Sequence, residues 1–102
     1  MVEYDIFVPL SMPDGEAVAK RQIVALKQRL VRQFGGLTYF PQRNEGIWKF
    51  GNYIFRDKIV ILRVLGETGP ATTRFLRKLK SEIERDWHQK EVLIISRQIK
   101  VF

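Results

Sequence analysis

Apolar residues recur at helical spacing in two stretches of the chain: Ala19, Ile23, Leu26, Leu30 and Phe34 in the first, and Phe75, Leu76, Leu79, Ile83 and Trp87 in the second. With 3.6 residues per turn, that spacing gives each helix one apolar stripe and leaves the opposite arc for charge. Lys20, Arg21, Gln28, Arg29 and Arg32 fill the first arc, and Arg74, Arg77, Lys78, Lys80, Glu84 and Arg85 fill the second. A helix with a single stripe must bury it against another layer, so the remaining segments decide what that layer is.

Those segments read as strands. Tyr4 to Leu10 is β-branched and aromatic and is closed off by Pro9 and Pro13. Ser11 and Asp14 have the spacing of a capping box ahead of the first helix, and Gly35-Gly36 provides its left-handed stop. Leu37 to Phe40 predicts a second strand, interrupted by the turn-rich Pro41–Gly46 and resuming at Ile47–Phe50. Gly51-Asn52 has the composition of a two-residue hairpin turn, after which Tyr53 to Leu65 is the clearest strand of the chain. Pro70 suits the first turn of the second helix, which runs to about His88. Val92–Ile95 predicts the last strand, with Ser96-Arg97-Gln98 as a bulge or turn before Ile99–Phe102. The order strand, helix, strand, strand, helix, strand is two split βαβ units. It predicts a ferredoxin-like βαββαβ two-layer sandwich, an α+β fold whose four-stranded antiparallel sheet carries both helices on one face.

The 102 residues suit one domain, 1–102, and 45% hydrophobic with 12% aromatic content excludes global disorder. The absence of cysteine removes disulfides, thiolate metal sites and thiol nucleophiles from consideration. His88 is the sole histidine, and no His/Asp/Glu spacing assembles a metal site, so neither a catalytic group, a metal nor a cofactor is expected. Acidic residues near Met1 and the lack of a long apolar run predict a soluble, cytoplasmic chain without a membrane span.

Both helices on one face leave the other face of the sheet open. If Val60, Leu62 and Val64 point to the helices, a period of two sends Phe55, Asp57, Ile59, Ile61 and Arg63 to the open face, with Glu3, Asp5 and Phe7 beside them. An open face with that much apolar surface calls for a cover, and a second copy of the chain is the expected one. The formal charge of +7 supports a second reading, sequence-nonspecific nucleic-acid binding. Its candidates are Lys20, Arg21, Arg29, Arg32, Arg74, Arg77, Lys78 and Arg85 on the helices, although a merely solvated face is the favoured explanation for them. In a third reading, the chain is a small-molecule enzyme or ligand sensor, built like the dimeric α+β barrels, which close two such sheets around an organic substrate. Asp5, Asp57, Arg63 and Trp48 carry that reading, against a structural ion pair and ordinary aromatic packing. The RNA-stacking pattern of the RRM is matched only at Phe50, Gly51 and Phe55, and the first loop lacks the arginine of an acylphosphatase cradle.

Phe34-Gly35-Gly36-Leu37-Thr38, Gly46-Ile47-Trp48, the lone Asp57 and Gln89 ahead of Val92 resemble a set of small bacterial ferredoxin-like proteins. These share Phe-Gly-Gly-x-Thr and Gly-x-Trp motifs and have no established activity. The resemblance implies that Thr38, Trp48 and Asp57 act as one unit, either a ligand pocket or a cluster that pins the hairpin. Asp5, Thr38, Trp48, Asp57 and Arg63 are therefore the ligand-binding candidates.

Overall fold

The computed structural model describes all 102 residues and realises this order as β1 (Val2–Pro9), α1 (Lys20–Phe34), β2 (Thr38–Phe50), β3 (Tyr53–Gly66), α2 (Pro70–Asp86) and β4 (Ile94–Gln98). The strands lie in the order β2-β3-β1-β4, and every neighbouring pair is antiparallel. This is the ferredoxin-like sandwich. Tyr4, Ile6 and Val8 of β1 and Val60, Leu62 and Val64 of β3 alternate inward and join Leu26 and Leu30 of α1 with Leu76, Leu79 and Ile83 of α2 in one core. Both helices thus cover the same sheet face. Removing an aliphatic side chain of this size from water contributes about 1.5–3 kcal/mol, which is why these inward positions of the two central strands are aliphatic or tyrosine.

Local chemistry sets the element ends. Gly35 caps α1 at φ 80°, its N–H donating to the Val31 carbonyl. Gly66 must lack a side chain for a different reason. A Cβ there would lie 2.9 Å from the Phe34 ring, which packs between Tyr4 and Phe75 at centroid distances of 5.9 and 5.7 Å.

Three boundaries differ from expectation. Ser11 and Asp14 do not open α1: Ser11 bridges to Ala17, and Met12 bonds with Glu16 and Gly15, closing a self-contained turn. The helix begins later, at Lys20, where the Gln22 side chain accepts the Ala19 N–H at 3.2 Å. Pro41–Gly46 does not interrupt β2. The strand runs through it with a bulge, the five residues of β2 from Phe40 to Asn44 matching three of β3 from Ile61 to Ile59. At the C-terminal strand, Val92 turns into the core and gives its N–H to the Glu84 carboxylate instead of to β1, so β4 starts at Ile94 and includes Ser96, Arg97 and Gln98.

β1 pairs with β3 only from Ile59 to Gly66. The remaining part of β3, Tyr53–Lys58, pairs with β2 alone and extends as a two-stranded arm of about 20 Å, at 3.3–3.4 Å per residue. Gly51, at φ 59°, turns the arm. The arm contributes to a long axis of 42 Å against 30 and 25 Å for the others.

Candidate functional site

The sheet face without helices is organised in cross-strand rows. One row holds Thr38, Arg63, Asp5 and Ile95; another holds Phe40, Ile61 and Phe7. Asp5 is only 3% exposed, and its carboxylate accepts from Arg63 Nε at 2.8 Å and from an Arg63 terminal nitrogen at 3.1 Å. Arg97 adds a third contact at 3.4 Å. Glu3 completes a four-membered network, 2.8 Å from Arg63 and 2.7 Å from Arg97. The hydrogen bond that Arg63 donates to Asp5 raises the Arg63 pKa above its usual value, outweighing desolvation, with the charges of Asp5 and Glu3 adding to it. The Arg63 guanidinium also lies 4.7 Å from the Phe40 ring centre. All four charges are answered within the face.

Asp57 and Trp48 lie elsewhere. Asp57 stands opposite Gly46, six residues along β3 from Arg63, and Thr38 stands opposite Arg63. Thr38 and Asp57 are therefore in different rows and do not bond near Trp48. The five ligand candidates divide into Asp5, Thr38 and Arg63 on the sheet, and Trp48 and Asp57 on the arm. A Cβ at Gly46, the residue opposite Asp57, would sit 2.9 Å from the Trp48 indole Nε1, so the missing side chain is what lets the indole approach the backbone there.

The arm forms one wall of a cleft of about 390 Å³. Trp48, Phe50, Phe55 and Asp57 line that wall, the turn containing Ser11 and Met12 forms a second, and the α2–β4 link from His88 to Glu91 forms the third, with Leu93 at its base. The two loops are tied together, Gln89 Nε2 donating to the carbonyls of Ser11 and Trp87, each at 2.9 Å. The link is also tied to α2. Lys80 Nζ reaches Glu91 at 2.6 Å, Glu84 at 3.0 Å and the Val92 carbonyl at 2.5 Å. Asp57, partly exposed, has no ion-pair or hydrogen-bond partner in the chain, in contrast to Asp5. No group of three or more His, Cys, Asp or Glu is placed to hold a metal ion.

Sequence reasoning missed Glu3 and Arg97 as members of the charge network, and Lys90 and Ser11 as parts of the cleft walls. Gln89 entered the sequence analysis only through the resemblance, not as a site candidate. Phe50 and Phe55 were weighed against the RRM pattern, and Phe55 was also placed on the open face; the two stack edge to face at 5.6 Å and belong to the cleft's aromatic wall.

The basic candidates divide too. Arg29 pairs with Glu82 across the two helices and lies over the Phe75 ring. Lys78 approaches the same Glu82 at 4.0 Å, and Arg85 pairs with Asp86 at 2.8 Å. Lys20, Arg21, Arg32, Arg74 and Arg77 are exposed and have no acidic partner.

A four-stranded sheet with helices on one face and a loop-bounded cleft at the base of an arm defines the class: a ferredoxin-like α+β protein with a small-molecule-sized cleft. No family model matches the chain, and no curated protein matches it in sequence. Its fold is similar to that of a phage SAM lyase in complex with S-methyl-5'-thioadenosine, at TM-score 0.69 and 16% identity over 95% of this chain and 80% of that one. The same lyase in its apo state aligns at TM-score 0.67 and 17% identity, covering 94% and 78%. At such identity the likeness is one of fold. No helix is long and apolar enough to cross a membrane.

Proposed function

We propose that the chain binds a small organic molecule in the cleft between the arm and the two loops. The observation that carries this reading is the combination of three aromatic side chains, Trp48, Phe50 and Phe55, with the unpartnered carboxylate of Asp57 in a space of about 390 Å³. Ligand pockets typically occupy about 300–1,000 Å³, are mostly apolar and carry a few polar groups that orient the guest. Aromatic faces would hold a planar or apolar part, and Asp57 would accept its hydrogen bonds. The phage lyase suggests S-methyl-5'-thioadenosine and SAM as first probes. In a screen of these with small aromatic fragments, the expected result is saturable shifts in the Trp48 indole N–H resonance, with the buried Trp87 unmoved. Hits that scatter over the surface, or none at millimolar concentration, would count against the reading.

A second reading, pairing of two copies through the helix-free sheet face, is supported by the composition of that face. Phe7, Phe40, Ile61, Leu65 and Ile95 surround a network of two acids and two arginines whose charges cancel. Two such faces would stack without like-charge repulsion on a molecule that otherwise carries +7.

A further inference from the structure

We infer that the cleft takes a small organic cation and that Lys90 competes with that cation for the aromatic wall; this rests on the cleft being a ligand site. Lys90 Nζ lies 4.5 Å from the Phe50 ring centre and 5.6 Å from that of Phe55. Both distances fall within the ~6 Å over which a ring quadrupole attracts a positive charge. The two rings meet edge to face, at an interplanar angle of 75°, so a single cation touches both.

Nothing else in the chain claims this ammonium. Lys90 has no carboxylate within ion-pair distance, and the neighbouring Glu91 is taken by Lys80 at 2.6 Å. The cleft therefore contains an internal cation on an aromatic surface and, separately, an unpaired acid at Asp57. A ligand cation seated on Phe50 and Phe55 gains both the rings and the field of Asp57. An anion would meet that carboxylate, and Arg56 is already engaged with Glu45. The exchange needs no backbone movement. Gln89 and Glu91 anchor the link on either side of Lys90, whose exposed four-carbon stem can carry its ammonium into water.

The test compares choline with dimethylbutanol, its uncharged carbon isostere, in titrations of the full chain read from the Phe50, Phe55 and Trp48 resonances. Choline is expected to bind saturably and more tightly than the isostere. Lys90→Met, which removes the internal competitor, is expected to tighten choline binding about two- to fivefold. Phe50→Leu, on an arm outside the core, is expected to weaken it with the amide spectrum otherwise retained. Equal binding of the isostere, or weaker choline binding in Lys90→Met, overturns the inference. Shifts from S-methyl-5'-thioadenosine or the fragments without any from choline overturn it while leaving the ligand-site reading intact. Silence from every probe overturns both.

Discussion

Asp5 is a charged residue in the middle of a sheet, and its environment explains how the fold tolerates it. Taking a carboxylate out of water is costly unless opposite charge and hydrogen bonds replace the solvent. Arg63 supplies two of those bonds from the next strand, and Arg97 supplies a third from the other side. Removing one partner of a fully buried pair typically costs about 3–5 kcal/mol. Arg63 is partly exposed and Arg97 would remain, so Arg63→Met is expected to cost less, about 2–3 kcal/mol in urea denaturation. Combining it with Asp5→Val should recover most of the loss, because Glu3 and Arg97 still pair with each other at 2.7 Å. A double variant less stable than Arg63→Met would show that the network contributes more than charge compensation. That Asp5 and Arg63 share the helix-free face was legible from the period of two in β1 and β3, whereas their standing opposite each other is set by the register. Arg97 was not legible, since the predicted bulge removed it from the strand that brings it opposite Glu3.

Among the elements, the junction of α2 with β4 couples stability to the cleft wall. Burial of Lys80 pulls its pKa down, but hydrogen bonds to Glu91 and Glu84 outweigh this and hold it above the ordinary lysine value. A base whose pKa is raised by folding contributes its full stabilisation below the unfolded value and loses it as pH climbs through the folded one. The stability advantage of the wild type over Lys80→Met is therefore expected to be constant from neutral pH to about pH 10 and to shrink above it, in thermal scans across that range. An advantage that persists unchanged at higher pH would contradict the assignment. The sequence places Lys80 on a wet helix face that also holds Glu84, four residues on. Glu91 and the Val92 carbonyl lie beyond the helix end, where helical periodicity carries no information. The long β2 was hidden for a related reason, because Pro41, Asn44 and Gly46 have turn composition even where a bulge and pairing with β3 keep them in a strand.

For the whole molecule, the question is what meets the uncovered sheet face. The +7 charge is not spread evenly, since the four charges of that face sum to zero while Lys20, Arg21, Arg32, Arg74 and Arg77 stand unpaired on the helical layer. If two copies stack as proposed, sedimentation equilibrium is expected to give twice the 12.0 kDa of one chain, and Leu65→Glu, at an exposed position on that face, should shift it toward the monomer. A monomer at high micromolar concentration would set this reading aside. In the stacked arrangement the unpaired cations decorate the outside of the pair, where they favour solubility and remain accessible to anionic partners.

The sequence by itself determined the element order, the inward and outward faces of β1 and β3, and the exclusion of thiol chemistry, because periodicity and residue identity are local properties. Only the tertiary structure decided which outward residues meet. Antiparallel register placed Thr38 beside Arg63 and Asp57 beside Gly46, separating candidates that the motifs had grouped. The cleft is likewise invisible along the chain. Its three walls come from residues near 11, 50 and 90, which come together because the β2–β3 arm extends past β1 alongside the loops flanking α1 and α2.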